Sequence, residues 1–206
     1  VIKLLMKTIV ITGTSGSGKT YLSNKLSKIL HNTIIINTDS YYRDDFYIKL
    51  LSIFSNDIYD RIISIKDKYL MKTITSIYNQ EEYGTFYNYD FFRKRSSQSK
   101  IQINYINNNS FLIVEGIFSH RLDLDYENTI NILCKEKKEI CYERRLQRDR
   151  IERGRNIDEV NNKFSKSWDI YSKYLSTFLS KNNVISINSV ENNNYKFLIS
   201  KLIELS

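Results

Sequence analysis

Apolar positions along this chain fall into short runs and longer stripes that alternate. Lys7 to Thr12 is a β-branched run that meets a glycine-rich segment, the pattern of a buried parallel strand. Beyond the glycines, Leu22, Leu26, Ile29 and Leu30 recur at i, i+4, i+7 and i+8, which predicts an amphipathic helix. Thr33 to Asn37 predicts a second strand, ending just before Thr38-Asp39-Ser40. Residues 44 to 80 read as helical but irregular, with helices expected near Phe46 to Phe54 and Tyr59 to Ile77. Phe111 to Val114 predicts the clearest buried strand, running into Glu115-Gly116, and Thr129 to Cys134 predicts another. A strongly charged helix is expected from about Glu136 to Arg153, then a helix from Asp158 to about Leu179. A strand over Val184 to Ile187 and a helix over Tyr195 to Leu205 close the chain.

Strands alternating with helices predict an α/β fold with a mostly parallel sheet. No internal repeat and no Gly- or Ser-rich linker divides the chain, so residues 1–206 are expected to form one domain. That length buries a sizeable core without disulfides or a structural metal. Proline is absent, so helix stops and turns must rely on Gly, Asn, Asp and Ser; Asn107 to Asn109 and Asn192 to Asn194 read as turns or loops. Only Cys134 and Cys141 occur, at no zinc spacing, and the expectation is a reducing, cytoplasmic setting. Ile2 to Ile11 is interrupted by Lys3 and Lys7 and is too short to span a bilayer, which predicts no membrane anchor there. It has no small-residue cleavage pattern, and Val1 to Leu5 reads as a leader or as sequence ahead of a start at Met6. The formal net charge of +8 suggests an anionic partner, which charge alone cannot assign to nucleic acid, lipid or a phosphate compound.

Gly13-Thr14-Ser15-Gly16-Ser17-Gly18-Lys19-Thr20 fits G-x-x-x-x-G-K-[ST] and lies between a predicted strand and a predicted helix, the context this phosphate loop requires. Its glycines let backbone N–H groups turn inward around phosphate oxygens, and the helix N-terminus adds its positive dipole end. Lys19 would reach the β- and γ-phosphates of ATP or GTP, and the Thr20 hydroxyl would ligate Mg²⁺. The expected fold is therefore a three-layer P-loop NTPase. A GTPase should show N-K-x-D, and Asn162-Lys163-Phe164-Ser165 fails at the fourth place. Small kinases need an acceptor base and an arginine-bearing lid.

Further blocks carry a resemblance. Thr38-Asp39-Ser40-Tyr41-Tyr42, Tyr89-Asp90-Phe91 and Leu112-Ile113-Val114-Glu115-Gly116-Ile117 follow the loop in order. Arg144-Arg145-Leu146-Gln147-Arg148-Asp149-Arg150-Ile151-Glu152-Arg153-Gly154-Arg155 is similar to the lid pattern R-R-x-x-R-D-x-x-E-R-G-R. Together these resemble the uridine kinase branch of the uridine kinase and phosphoribulokinase family, over most of residues 6 to 192. The resemblance implies a lid at about 144–160, a small-molecule nucleoside acceptor, and a homo-oligomer.

Asp39 follows a strand whose end would lie beside the phosphate loop, where ligands bind in parallel sheets. A carboxylate there can take the proton of an attacking hydroxyl and help hold Mg²⁺; the resemblance assigns the base role, and a helix cap is the alternative. Glu115 ends a buried apolar strand, where an unpaired carboxylate is costly, and is expected to ligate Mg²⁺ through water. Arg145 to Asp149, Arg148 to Glu152 and Asp149 to Arg153 are i, i+4 pairs, so part of this helix is expected to be a self-compensating solvated face. By resemblance Arg148 and Arg153 contact phosphates, and Arg145 and Arg155 lie near the acceptor or the phosphates. Gly154 would end the helix. Tyr42, Tyr89 and Phe91 could border a planar base. Asp57 is the expected holder of the ribose hydroxyls, with Asp60 competing. His120 and Trp168 are expected to be structural.

Uridine kinases carry Y-D-F-x-x-H-S-R, and Lys94 stands at the histidine's place. Lys163 matches a glutamine on the helix after the lid, and Ile187 to Asn192 reduces the usual adenine loop. The expectation is transfer of the γ-phosphate of ATP or GTP to the 5′-hydroxyl of uridine or cytidine. The alternative within the superfamily is another acceptor, such as nicotinamide riboside, phosphoribulose or pantothenate, which the departures at Lys94 and Lys163 keep open. A nucleic-acid-binding P-loop protein would predict steeply salt-dependent oligonucleotide binding. No RNA- or DNA-binding motif accompanies the loop, and no nucleic-acid or membrane partner is expected.

Overall fold

A computed structural model describes residues 6–30, 32–55, 58–105, 111–122, 124, 129–180, 184–188 and 196–204. Asp57 and the asparagine runs lie outside them. In chain order the elements are β1 (Lys7–Gly13), α1 (Lys19–Ile29), β2 (Thr33–Asn37), α2 (Phe46–Phe54), α3 (Asp67–Tyr78), β3 (Tyr83–Asp90) and β4 (Arg95–Gln102). There follow β5 (Phe111–Glu115), β6 (Thr129–Lys135), α4 (Lys138–Arg153), α5 (Ile157–Leu179), β7 (Val184–Asn188) and α6 (Lys196–Glu204). The chain forms two compact units, one of Val1–Ile36, Tyr105–Glu143 and Leu175–Ser206, the other of Asn37–Asn104 and Arg144–Tyr174.

The first unit holds a five-stranded sheet in the order β2-β5-β1-β6-β7. β1 runs parallel to both β5 and β6, and β6 parallel to β7. Strands covered on both faces carry unbroken apolar runs, which is why β1 and β5 were the most legible elements. By strand alternation Ile9 and Ile11 share one face, and they pack with Leu22 and Leu26 of α1, Ile113, Ile132, and Leu198 and Leu202 of α6. Val10, Leu112 and Val114 are buried on the opposite face. The register sets Glu115 beside Ile11, so the carboxylate ends level with the last turn before the phosphate loop.

The second unit departs from expectation in two places. The helix expected over Tyr59 to Ile77 is two 3-10 turns, Ile58–Asp60 and Ile62–Ser64, followed by α3 from Asp67. The intervening backbone is held extended: Arg43 N–H donates to Ser64 O at 2.7 Å and Lys66 N–H to Tyr41 O at 2.8 Å. Those pairings remove the helical option for Ile65. The stretch after α3, for which the hydrophobic pattern predicts no element, is an antiparallel hairpin of β3 and β4, registered from Tyr83↔Gln102 to Asp90↔Arg95. Thr73 Oγ1 of α3 donates to Thr85 O of β3 at 2.7 Å, and Tyr41 Oη donates to Thr73 Oγ1 at 3.1 Å.

Candidate active site

The phosphate loop leaves β1 at Gly13 and enters α1 at Lys19. Gly16 and Gly18 have φ of 88° and 92°, backbone that side-chain-bearing residues rarely adopt. A Cβ on Gly16 would also strike the carbonyl oxygen of Cys141, and one on Gly13 would strike Ser17 Oγ and lie 2.7 Å from Cys134 O. Lys19 is buried over the loop, where Nζ donates to Thr14 O at 2.9 Å. Ser17 Oγ is buried with no hydrogen-bond partner among the described residues. No acidic residue occupies the first turn of α1, which leaves its dipole end open to an anion. This cradle fits a polyphosphate.

Thr20 Oγ1 donates to Glu115 Oε1 at 3.1 Å, and Glu115 is 2% exposed. A hydroxyl and a buried carboxylate oxygen side by side are hard donors suited to Mg²⁺, which keeps several waters and binds phosphates as its other ligands. Among the described residues no three His, Cys, Asp or Glu side chains form a cage. A phosphate-dependent Mg²⁺ site needs none. Nearby, burial pushes the Cys134 thiol up to about 12, so it is not a nucleophile at neutral pH. His120 is buried with Nδ1 3.2 Å from Thr12 Oγ1.

In the second unit Asn37 caps the 3-10 turn Thr38–Tyr41 by accepting the Asp39 N–H at 2.8 Å. Asp39 therefore lies inside the turn and is not its cap. Its Oδ1 is buried with no hydrogen-bond partner among the described residues. Tyr42, three residues on, meets the rings of Tyr89 at 5.4 Å, Phe91 at 5.7 Å and Tyr59 at 6.0 Å. Burial, then the charges of Asp39 and Asp60, raise the Tyr42 hydroxyl well above its ordinary value, so it remains a neutral donor. The Arg153 guanidinium lies 3.9 Å over the centre of the Phe91 ring, a cation–π contact.

Asp149 is fully buried and faces four arginines: Arg155 Nη1 at 2.6 Å, Arg148 Nη2 at 2.8 Å, Arg153 Nε at 3.5 Å and Arg145 Nε at 3.6 Å. Burial raises its carboxyl, but the charges of Arg153 and Arg148 outweigh that and hold it below the usual range. Burial, with Arg148 next, pulls the Arg153 guanidinium down to about 10. One carboxylate cannot neutralise four guanidiniums. The cluster keeps a positive surplus for an anion.

The model of the phosphoribulokinase / uridine kinase family matches residues 8–196. The chain belongs to that family. It is 31% identical over 159 residues to the uridine kinase of Limosilactobacillus reuteri (strain DSM 20016), covering 74% of this chain and 69% of the relative. It is 30% identical over 162 residues to the uridine kinase of Borrelia duttonii (strain Ly), covering 76% and 73%. Two solved structures share the fold. D-glycerate 3-kinase from Cryptococcus neoformans matches at TM-score 0.63 and 12% identity, over 89% of this chain and 86% of that one. A structure titled as a possible uridine kinase from Bacillus stearothermophilus matches at TM-score 0.56 and 16% identity, over 87% and 88%. Family and relatives together make this chain an ATP-dependent phosphotransferase. Among the described residues no helix is long and apolar enough to cross a membrane.

Within this kinase, a cavity of about 250 Å³ gathers most of the side chains that the sequence singled out in the second unit. Tyr42, Tyr89, Phe91, Arg145, Arg153 and Arg155 line it, with Lys94, Lys163 and Asp60. Arg148 does not; its Nε and Nη2 bond to Asp149 Oδ1. Tyr59, Phe92 and Glu159 line it too and were missed, since nothing in their spacing marks them. The expected solvated face of α4 needs correction. Arg150 and Glu152 are exposed, but the Asp149 pairs with Arg145 and Arg153 are turned inward. The signal was in the sequence, as arginines four before, one before, four after and six after one aspartate.

Proposed function

We propose that this chain transfers the γ-phosphate of ATP or GTP to a hydroxyl of a small molecule held in the aromatic cavity, and that the 5′-hydroxyl of uridine or cytidine is one such acceptor. The whole chain works as one kinase domain, with residues 144–160 as its lid. Lys19 and the N–H groups of Gly13 to Thr20 bind the donor phosphates. Thr20 and Glu115 hold Mg²⁺, with Asp39 as a further oxygen donor, and the ion when bound offsets charge on the phosphate oxygens. Asp39 accepts the proton as the acceptor oxygen bonds to the γ-phosphorus and the bond to the β,γ-bridging oxygen breaks, releasing ADP or GDP. Arg148 and Arg153, with Arg155, offset the charge that develops during transfer. Tyr42, Tyr89, Phe91 and Arg145 border the acceptor, and Asp60 is the carboxylate at hand for its hydroxyls.

The observation that carries this reading is the cavity lined by Tyr42, Tyr89, Phe91 and Arg153, with the Arg153 guanidinium over the Phe91 ring, in a chain similar to curated uridine kinases. A second acceptor class, one bearing its own negative charge, is favoured by Lys94 and Lys163 in the cavity wall. The two cysteines are free thiols, in keeping with work in the cytoplasm.

Coupled ADP release with Mg-ATP tests this against uridine, cytidine, nicotinamide riboside, ribulose 5-phosphate and pantothenate, with Asp39→Asn alongside. Acceptor-dependent turnover that falls at least about a hundredfold in Asp39→Asn is expected. Absence of turnover with every hydroxyl acceptor, while ATP binds, would overturn it.

A further inference from the structure

Thr14 ties the phosphate loop together. Its carbonyl oxygen accepts the Lys19 ammonium at 2.9 Å and the Ser17 N–H at 3.2 Å. Its hydroxyl has a different partner: Oγ1 lies 3.4 Å from Cys141 Sγ, a hydrogen bond in which either atom can donate. The two residues stand 127 positions apart in the chain, so the fold itself makes this contact.

Cys141 meets the loop a second time. Gly16, at φ 88°, packs against its backbone, and a Cβ there would strike Cys141 O and lie 3.0 Å from Cys141 Cα. Cys141 stands near the start of α4, where its N–H donates to Lys137 O at 3.0 Å. Hydrogen-bonded helical backbone holds a site more exactly than a loop can. Cys141 is fully buried, and Thr14 and Lys19 are each 8% exposed.

A buried cysteine can act as no more than a small apolar filler. Here Sγ faces a hydroxyl, and that hydroxyl belongs to the residue whose carbonyl holds Lys19. A thiol is a weak hydrogen-bonding group, but water does not compete with it in a buried contact. Removing Sγ would take this partner from the Thr14 hydroxyl and loosen the turn from which Lys19 is held.

We infer that Cys141 is a positioning residue for the donor nucleotide: its thiol holds the Thr14 hydroxyl, its backbone stops Gly16, and the two contacts set the loop that receives the phosphates. It touches neither substrate nor the reacting atoms. The inference rests on the loop as the ATP site and is independent of which acceptor the kinase uses.

The test is titration calorimetry with Mg-ATP on the full chain, for the wild type, Cys141→Ala, Cys141→Ser, Thr14→Val and the double variant Thr14→Val/Cys141→Ala. Cys141→Ala should raise Kd about fivefold, the worth of one modest hydrogen bond. Cys141→Ser should restore most of the affinity, because a hydroxyl can bond Thr14 in the thiol's place. The double variant should bind no more weakly than Thr14→Val alone, since both changes break the same contact. Where Cys141→Ala does not fold, Thr14→Val should still bind about fivefold more weakly than Thr14→Ser, which keeps the hydroxyl. Wild-type affinity in Cys141→Ala, no recovery in Cys141→Ser, additive losses in the double variant, or equal binding by Thr14→Val and Thr14→Ser would each overturn the inference and leave the kinase reading standing. A wild type that does not bind Mg-ATP would overturn both.

Discussion

Arg155 donates from Nη1 to Asp149 Oδ2 at 2.6 Å although it lies beyond the end of the helix that carries Asp149. Gly154, at φ 61°, turns the chain so that Arg155 N–H also reaches Asp149 O at 3.1 Å. The end of α4 thus folds its last arginine back onto the carboxylate that already faces Arg145, Arg148 and Arg153. A sequence of alternating charges becomes a cluster of four arginines about one buried carboxylate.

Asp149→Asn removes the charge that gathers the four arginines. A loss of about 2–3 kcal/mol in denaturant unfolding at neutral pH is expected, below that of a fully buried pair because Arg148 and Arg155 are 33% and 21% exposed. The native carboxyl lies below its ordinary 3.8, so its contribution is complete above that pH and is lost as pH falls through the lower native value. The gap between wild type and variant should therefore narrow only under acid. A gap that is flat with pH would contradict the ion-pair account.

Gly154→Ala forces a side chain into left-handed backbone and sets its Cβ 3.2 Å from Phe92 Cε2. A loss of about 1 kcal/mol in thermal unfolding is expected. Gly16→Ala should do more harm to function than to stability, because the Cβ would strike Cys141 O and push the loop off its phosphate-binding shape. Calorimetry should find ATP binding weakened at least about tenfold; unchanged binding would contradict the loop geometry.

Lys19→Met should cut kcat by about a hundredfold or more, since Nζ is the buried charge over the loop. Glu115→Gln should instead raise the Mg²⁺ concentration needed for half-maximal rate, which a metal titration at saturating ATP reads. An unaltered requirement would remove Glu115 from the metal site.

How much could be read in advance followed burial. β1 and β5 carry the unbroken apolar runs Ile9 to Ile11 and Phe111 to Val114, and α2 matches its expected bounds, Phe46 to Phe54. Yet Phe46 and Phe54 are 79% and 82% exposed, which periodicity does not reveal. β4, Arg95 to Gln102, is exposed along nearly its whole length and carries no alternating apolar face, so pattern reading had nothing to detect. Ile65 looks helical by its neighbours and is extended because Tyr42 pairs with it across the chain. The phosphate-loop motif marks the turn between β1 and α1, and the arginine-rich block holds the four arginines about Asp149, while the inward turn of Asp149 depended on the fold around α4. The aromatic wall was half legible. Tyr42, Tyr89 and Phe91 stood in motif blocks, but Tyr59 is one of 16 tyrosines with nothing to mark it.

The most direct test of the account is the transfer of label from ATP radiolabelled at its γ-phosphate to an acceptor hydroxyl, in the wild type and in Asp39→Asn, with ATP binding measured in both. Labelled acceptor in the wild type, formed at least about a hundredfold more slowly in Asp39→Asn at unchanged ATP affinity, is the predicted result. Equal rates in the two proteins, or ATP bound with no labelled product from any hydroxyl acceptor, would contradict it.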